Sequence, residues 1–217
     1  MPLIISAKRG KWRDKGGIES ADGEFAARRP QIIKRDDGRC LFCKVKLENM
    51  HVHHKDDDHS NNKPNNLMTT DELCHAVNHV GLLGKAGKIA YLPVIAQEDI
   101  SHLTRAILVA IARGGKDAED ARELARYMME TFAEPVFATF GTDNPAEFGN
   151  ALLQLPDSSY NGRTSTMKDM RVLFDVAALS KNAGAIAKAL YPKIQDDIIG
   201  DWRRIVEEIE TMSGMQV

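Results

Sequence analysis

The sequence has few of the features that mark disulfide-stapled, membrane-spanning or strongly basic proteins. Its 217 residues include three cysteines, too few for a disulfide framework, so we expect a reducing compartment. No apolar run approaches the length of a transmembrane helix, and the apolar part of MPLIISAKRGKWR is too short for a signal peptide. The formal net charge of -2 excludes a uniformly basic binder of polyanions. These absences predict a cytoplasmic globular protein without membrane insertion.

The side chains that can bind metal are concentrated in residues 40–79, which hold all three cysteines and six of the seven histidines. Cys40 and Cys43 form a C-x2-C pair, whose spacing lets two thiolates bind one tetrahedral zinc ion. Cys74 would supply a third thiolate, and Asp71 lies three residues earlier, on the same side of a predicted helix start. A nearby histidine is the alternative fourth ligand: His51, His59, His75 or His79. Otherwise, His51 and His59 are expected to be exposed loop residues.

A second group of candidate ligands consists of histidines. His53 and His54 are neighbours on a predicted strand, so one can hold a metal while the other faces a substrate. His75 and His79 are four residues apart, and a helix would direct both imidazoles to one point. Three imidazoles leave coordination positions open for a phosphate oxygen and water. The alternative is that these histidines belong to a structural zinc finger without catalytic chemistry.

The order His53-His54, Asn66, His75 and His79 resembles that of the HNH, or ββα-metal, nucleases. The run RRPQIIKRDDGRCLFC is similar to their lead-in helix and zinc knuckle. The resemblance implies that His53, His75 and His79 bind a catalytic divalent metal, which would be Mg²⁺, Zn²⁺ or Ni²⁺. It implies that His54 is the general base, and that Asn66 orients this base or braces the loop.

Two further features of the sequence bear on the hypothesis that the protein is a nuclease. Asp71 stands where many HNH domains carry the first cysteine of a second C-x2-C pair, which brings the zinc affinity into question. Between Met1 and Lys46, twelve basic residues outnumber six acidic ones, a local charge of +6. A basic surface beside the motif suits a DNA backbone, so DNA is a candidate partner. A solvated or protein-facing surface is the alternative.

Several segments beyond the motif resemble the IcmJ/DotN family of type IVB (Dot/Icm) secretion and conjugation systems. They are KRGKWR, KRDDGRCLFC, KIAYLPVIAQEDI and NPAEFG. The resemblance implies a subunit of the coupling complex that binds the coupling-protein ATPase, with the HNH-like zinc fold as a scaffold for protein contacts. It also implies a place at the inner membrane, peripheral and through that partner. The complete histidine set departs from a pure scaffold and keeps the nuclease hypothesis open.

These observations predict an α+β fold, with a treble-clef-like HNH zinc domain over residues 1–95 and an α-helical docking region over 96–217. In the first region we predict a strand at residues 3–5 and a hairpin over 45–54 that ends in HVHH. Residues 84–95 should be a glycine-rich stretch followed by a strand that ends in YLP. Helices are predicted over 29–36, with Pro30 in the first turn, and from a threonine-capped start at 69–72 to about Gly81. The second region should contain helices at 97–113, 117–132, 146–153, 167–179, 185–191 and 194–209.

Overall fold

The computed structural model describes residues 3–8, 18–58, 60–190, 209 and 211. Helices and short strands are mixed along these residues, as the predicted α+β class requires. The elements are α1 (Ile18–Arg35), β1 (His51–His54), β2 (Leu67–Thr70), α2 (Glu72–Asn78), a 3₁₀ turn (Val80–Leu82), β3 (Gly87–Tyr91), α3 (Gln97–Arg113), α4 (Lys116–Phe140), α5 (Pro145–Gln154), α6 (Asp157–Thr166), β4 (Met170–Phe174) and α7 (Val176–Leu190). Within the described ranges the strands form two small sheets, β1 with β2 and β3 with β4.

The first sheet supports the residues of the motif. Strands β1 and β2 are antiparallel, with His51 opposite Thr70, and α2 follows directly, so the three elements form a ββα unit. The predicted strand HVHH is present, but the predicted hairpin partner near Val45 is wrong. The Val45 carbonyl instead accepts a hydrogen bond from the Cys40 amide, which closes the knuckle and removes this segment from the sheet.

The first helix is longer than predicted. It begins at residue 18 rather than near 29, and Pro30 lies in its interior rather than in its first turn. An interior proline removes one helical hydrogen bond. Packing offsets this loss because Ile32 is buried against both strands of the first sheet. The helix ends at Arg35, one residue before the predicted end, and Gly38 follows with a φ of 64° that suits glycine.

The second sheet corrects the prediction that the chain is wholly helical after residue 96. Strand β4 is antiparallel to β3, with Gly87 opposite Phe174 and Tyr91 opposite Met170. The helix predicted over 167–179 is therefore wrong over β4. The mostly apolar run MRVLF is compatible with a buried strand and with a buried helix. Only its pairing with β3 decides between the two.

The described helices of the second region agree with the prediction to different extents. Helix α3 matches the predicted 97–113, and α5 begins one residue before the predicted 146 with Asn144 as its cap. Helix α4 continues past 132 through Pro135 to its end at Phe140. Helix α6 was not predicted. Of the helix predicted at 194–209, Ile209 is described and buried near α3 and α4, while 194–208 lie outside the described residues.

The predicted strand at residues 3–5 is also wrong, because these residues belong to none of the strands in the described part of the chain. The segment instead adds two backbone hydrogen bonds to the end of α2. The Ser6 amide donates to the Val77 carbonyl, and the Ser6 carbonyl accepts from the Val80 amide. The segment therefore ties the N-terminal part of the chain to the helix that carries the candidate ligands.

One hydrophobic core crosses the predicted domain boundary at residue 95. Cys40, Cys74 and Val77 come from before the boundary, and Val136 and Leu152 come from after it, yet they belong to one buried cluster. The division into domains 1–95 and 96–217 stays a prediction. The core shows that the motif region packs directly on helices of the second region.

A close approach of two glycines joins α5 to the 3₁₀ turn. A Cβ atom added to Gly149 of α5 would lie 2.3 Å from the Cα of Gly81. Real Cβ atoms do not approach backbone so closely, so this contact requires glycine at 149. The contact fixes α5 against the chain two residues after His79.

Candidate metal centres

Helix α2 supports both groups of candidate ligands, and Asp71 begins it. The Asp71 carboxylate accepts hydrogen bonds from the amides of Leu73 and Cys74, so it is the N-cap. The predicted threonine cap is therefore wrong, because Thr69 and Thr70 belong to β2. The helix ends at Asn78, with His79 as its C-cap. Cys74 lies on one side of this short helix, while His75 and His79 lie on the other.

The first group, the cysteine–aspartate cluster, consists of Cys40, Cys43, Asp71 and Cys74. One donor atom from each residue lies within 4.8 Å of all the others, and the four residues are at most 5% exposed. Three thiols and one carboxylate around a single point form a donor set that fits tetrahedral zinc. The structure thus groups Asp71 with the cysteines, in preference to the alternative histidines; His59 lies outside the described residues.

The hydrogen bonds that the thiols make indicate how closely this cluster is packed. The Cys43 thiol donates to Asp71 Oδ2 at 3.2 Å, and the Cys74 thiol donates to Ser101 Oγ at 3.8 Å. Hydrogen bonds from Cys43 and Cys74 lower the pKa of the Cys40 thiol. The same hydrogen bonds raise the pKa of the Cys43 and Cys74 thiols. Negative charge on one thiol therefore opposes charge on the next, and a bound cation would relieve this repulsion.

Arg105 of α3 reaches this cluster from the second region of the chain. Its Nη2 donates to Asp71 Oδ1 and to Cys43 Sγ, the latter at 3.4 Å. The Arg105 side chain is 2% exposed and that of Asp71 is 1% exposed, so the ion pair is buried. Nothing in the sequence pointed to Arg105, because the pair spans 34 residues and depends on how α3 packs.

The second group, the histidine cluster, consists of His53, His75 and His79. Their donor atoms also lie within 4.8 Å of one another, and the ring centroids are 4.6 to 5.6 Å apart. His53 and His79 are buried, whereas His75 is partly exposed. Burial, and then the neighbouring His79 and His51, lowers the pKa of His75 to about 3. The imidazole of His75 is therefore neutral near pH 7, as a metal ligand must be.

Asp57 adds a carboxylate beside the histidine cluster. Its Oδ1 lies 3.7 Å from His53 Nε2, and its Oδ2 accepts a hydrogen bond from the Tyr160 hydroxyl at 2.8 Å. Arg163 Nη2 approaches the same Oδ2 at 3.6 Å. Burial and the Asp57 charge raise the pKa of Tyr160 to about 12, so the phenol keeps the proton that it donates. A carboxylate near a ligand histidine orients the ring and increases its basicity.

His54 lies on the opposite face of β1 from the histidine cluster, as strand alternation predicts. Its ring stacks on Phe25 of α1 with centroids 5.0 Å apart, and it is 1% exposed. Its Nε2 is hydrogen-bonded to Asn62 Oδ1 at 2.9 Å, so the asparagine beside this ring is Asn62. Asn66 instead bonds to Asp56 and to the Asn61 carbonyl, which braces the loop. The catalytic roles of His54 and Asn66 stay predictions.

The expectation that His51 is an exposed loop residue is wrong. His51 begins β1, is partly buried, and its ring lies 5.0 Å from that of His75. Strand alternation places it on the same face as His53. The histidine cluster therefore has a fourth imidazole at its edge, outside the group of three whose donor atoms converge.

Comparison with known proteins supports one of the two resemblances. No model of a protein family matches the chain. The type 4 apparatus protein DotN of Legionella pneumophila is 26% identical over 201 residues, which span 89% of this chain and 93% of DotN. This similarity supports the resemblance to the IcmJ/DotN family. Among the described residues, every helix is too short or too polar to cross a membrane.

Proposed function

We propose that the chain is a zinc-binding, HNH-fold subunit of a type IVB secretion or conjugation coupling complex, where it docks onto the coupling-protein ATPase. The observation that carries this proposal is the extent of the similarity to a type 4 apparatus protein. It covers 89% of the chain, whereas the HNH-like motif occupies only residues 40–79. A relationship restricted to nuclease chemistry would be expected to end near α2.

The cysteine–aspartate cluster supports a structural role for zinc in this subunit. Its four donors would fill a tetrahedral coordination shell, which leaves no position for a substrate. Cys40, Cys43 and Cys74 also belong to the main hydrophobic core, together with residues of α4 and α5. A zinc ion bound here would stabilise the packing of the motif region on the helices.

Exposed aromatic side chains on α4 supply a surface for the partner. Phe137 and Phe140 are 56% and 51% exposed, and the Phe140 ring packs edge-on against Phe148 of α5 at 5.5 Å. Grouped exposed apolar side chains mark interaction sites, and aromatic residues often contribute most of the binding energy. We assign the contact with the coupling-protein ATPase to this surface.

The docking proposal is tested by binding of the purified chain to the coupling-protein ATPase of the same secretion system. Calorimetric titration should show binding of the wild type, and binding at least about tenfold weaker for the Phe137→Ser/Phe140→Ser double variant. Tyr91→Ser is the matched control, since it removes a 46% exposed aromatic side chain from β3 instead. A wild-type protein that does not bind the ATPase would contradict the proposal.

A metal-dependent DNA endonuclease is the second candidate, and the histidine cluster is the observation that favours it. Three imidazoles converge on one point and would leave positions open for a phosphate oxygen and water. A divalent metal ion held there would supply charge stabilisation for the phosphate. In this hypothesis His54 accepts the proton of the attacking water and Asn66 braces the loop. It ranks second because the His54 ring is buried against Phe25 and its Nε2 is already hydrogen-bonded to Asn62.

The nuclease candidate is tested by elemental analysis of untagged protein together with a plasmid-nicking assay. Wild type and His54→Ala are compared with added Mg²⁺, Zn²⁺, Ni²⁺ or Mn²⁺. A second metal equivalent and nicking that disappears in His54→Ala would support the enzyme. One zinc per chain, without nicking under any of these ions, would exclude the enzyme and leave the scaffold function.

A further inference from the structure

The buried guanidinium of Arg105 is unusual because its acceptors belong to a candidate metal centre. Its Nη2 donates to Asp71 Oδ1 and lies 3.4 Å from Cys43 Sγ. The side chain is 2% exposed, so water screens its charge little. An arginine buried this deeply is rare unless anionic groups surround it. The cysteine–aspartate cluster supplies those groups.

The charge of a zinc-loaded cluster explains why a cation is needed there. Three thiolates and one carboxylate carry four negative charges, and zinc contributes two positive charges. The loaded centre would therefore hold two net negative charges in the hydrophobic core, where uncompensated charge is costly. The positive charge of Arg105 would leave the zinc-loaded cluster and Arg105 together with one net negative charge.

The two oxygens of Asp71 have different hydrogen-bond partners. Oδ1 accepts from Arg105 and from the Leu73 amide at 3.0 Å. Oδ2 accepts a hydrogen bond from the Cys43 thiol at 3.2 Å. A carboxylate at this position can thus cap α2, bind Arg105 and offer an oxygen to zinc. A cysteine at residue 71 would have one side-chain donor atom for all three contacts.

We infer that Arg105 is the buried counter-ion of the zinc centre and the positioning residue for Asp71. It offsets the excess negative charge of the ligands and holds Oδ2 towards the metal. It also makes the zinc affinity depend on the packing of α3, a helix of the second region, against the ββα unit. The inference rests on the structural zinc of the proposed function.

The test measures zinc affinity of the full chain by competition with a fluorescent chelator. Arg105→Gln should bind zinc about 10- to 100-fold more weakly than wild type, the loss typical of a residue that supports a metal ligand. Arg113→Gln is the matched control, because it removes an exposed arginine from the same helix and should leave the affinity unchanged. Replacement of zinc by Co²⁺ adds a spectrum that reports tetrahedral thiolate ligation, and Arg105→Gln should alter its ligand-field bands.

The possible outcomes separate this inference from the proposed function. Zinc binding by wild type with equal affinity in Arg105→Gln overturns the role of Arg105 and leaves the zinc centre standing. A wild-type chain that binds no zinc overturns both. If Arg105→Gln does not fold, Arg105→Lys decides, because it keeps the charge and loses the planar donors. Altered ligand-field bands of the Co²⁺ form of Arg105→Lys then support the inference, and a spectrum and zinc affinity equal to those of wild type overturn it.

Discussion

The two candidate metal centres share one seven-residue helix but differ in donors, burial and openness. The cysteine–aspartate cluster has four buried donors, and its three cysteines belong to the main core. The histidine cluster has three donors, one of them partly exposed, and would leave coordination positions open. The buried cysteine–aspartate cluster is therefore suited to stabilise the fold, whereas the more open histidine cluster is suited to bind a further ligand.

Each centre is also supported by a residue from the second region of the chain. Arg105 of α3 contacts the cysteine–aspartate cluster, and Tyr160 of α6 holds Asp57 beside the histidine cluster. The proposed docking surface lies on α4, which packs against α3, so a partner bound there would adjoin the helix that carries Arg105. This arrangement links the proposed scaffold function to the metal chemistry without requiring catalysis.

The largest expected effect comes from Cys74→Ser, which removes a donor from the closed centre. Cys74 is fully buried, so the variant loses zinc and leaves a hydroxyl in the core. The free energy of unfolding should fall by about 3 kcal/mol or more. Chemical denaturation with and without zinc measures it, and the zinc-dependent part of the stability should vanish. Ser101→Ala changes a neighbour of the same thiol and is the control; full zinc content in Cys74→Ser would contradict the prediction.

A smaller effect is expected from Gly149→Ala, which should disturb the histidine cluster more than the cysteine–aspartate cluster. The new methyl group would meet Gly81, two residues after His79, and should destabilise the fold by about 1–3 kcal/mol. Gly162→Ala is the matched control, because its Cβ would meet open space on α6. Urea denaturation and metal stoichiometry measure both effects. Equal stability of the two alanine variants would contradict the prediction, because it would show that the contact between Gly149 and Gly81 can accommodate a methyl group.

Sequence spacing predicted the members of both centres because their geometry is mostly local. The C-x2-C pair, adjacent histidines on a strand and histidines four apart on a helix each fix relative directions within one element. The structure brings Cys40, Cys43, Asp71 and Cys74 together, as predicted, and His53, His75 and His79 likewise. Metal binding by these residues stays a prediction.

The supporting residues and the second sheet could not be predicted in this way. The bond between Asp57 and Tyr160 spans 103 residues, and it forms only when α6 packs over the loop after β1. Strand β4 pairs with β3 across most of the second region, while its sequence allows a helix equally well. Both contacts depend on packing between segments that are distant in sequence. A residue pattern within one segment carries no information about such packing.

His79→Gln separates the two centres by metal content rather than by stability. It removes one of the three convergent imidazoles, so a second metal equivalent present in wild type should be lost. The zinc of the cysteine–aspartate cluster should remain, because none of its donors changes. His51→Gln is the matched control, since His51 contacts His75 but lies outside the convergent three. Elemental analysis of dialysed protein gives the result, and loss of both metals in His79→Gln would mean that the centres are not independent.

The smallest effect is expected from Tyr160→Phe, which removes only the hydroxyl that holds Asp57. The carboxylate would then lose its 2.8 Å hydrogen bond and be held less firmly beside His53 Nε2, and affinity for a metal at the histidine cluster should fall by about tenfold. Some stability should also be lost, because the same hydroxyl bonds to the Ala7 backbone. Tyr91→Phe removes an exposed hydroxyl and is the control. Because a purely structural role would lower stability and leave metal affinity unchanged, titration with Co²⁺ distinguishes it from support of the histidine cluster.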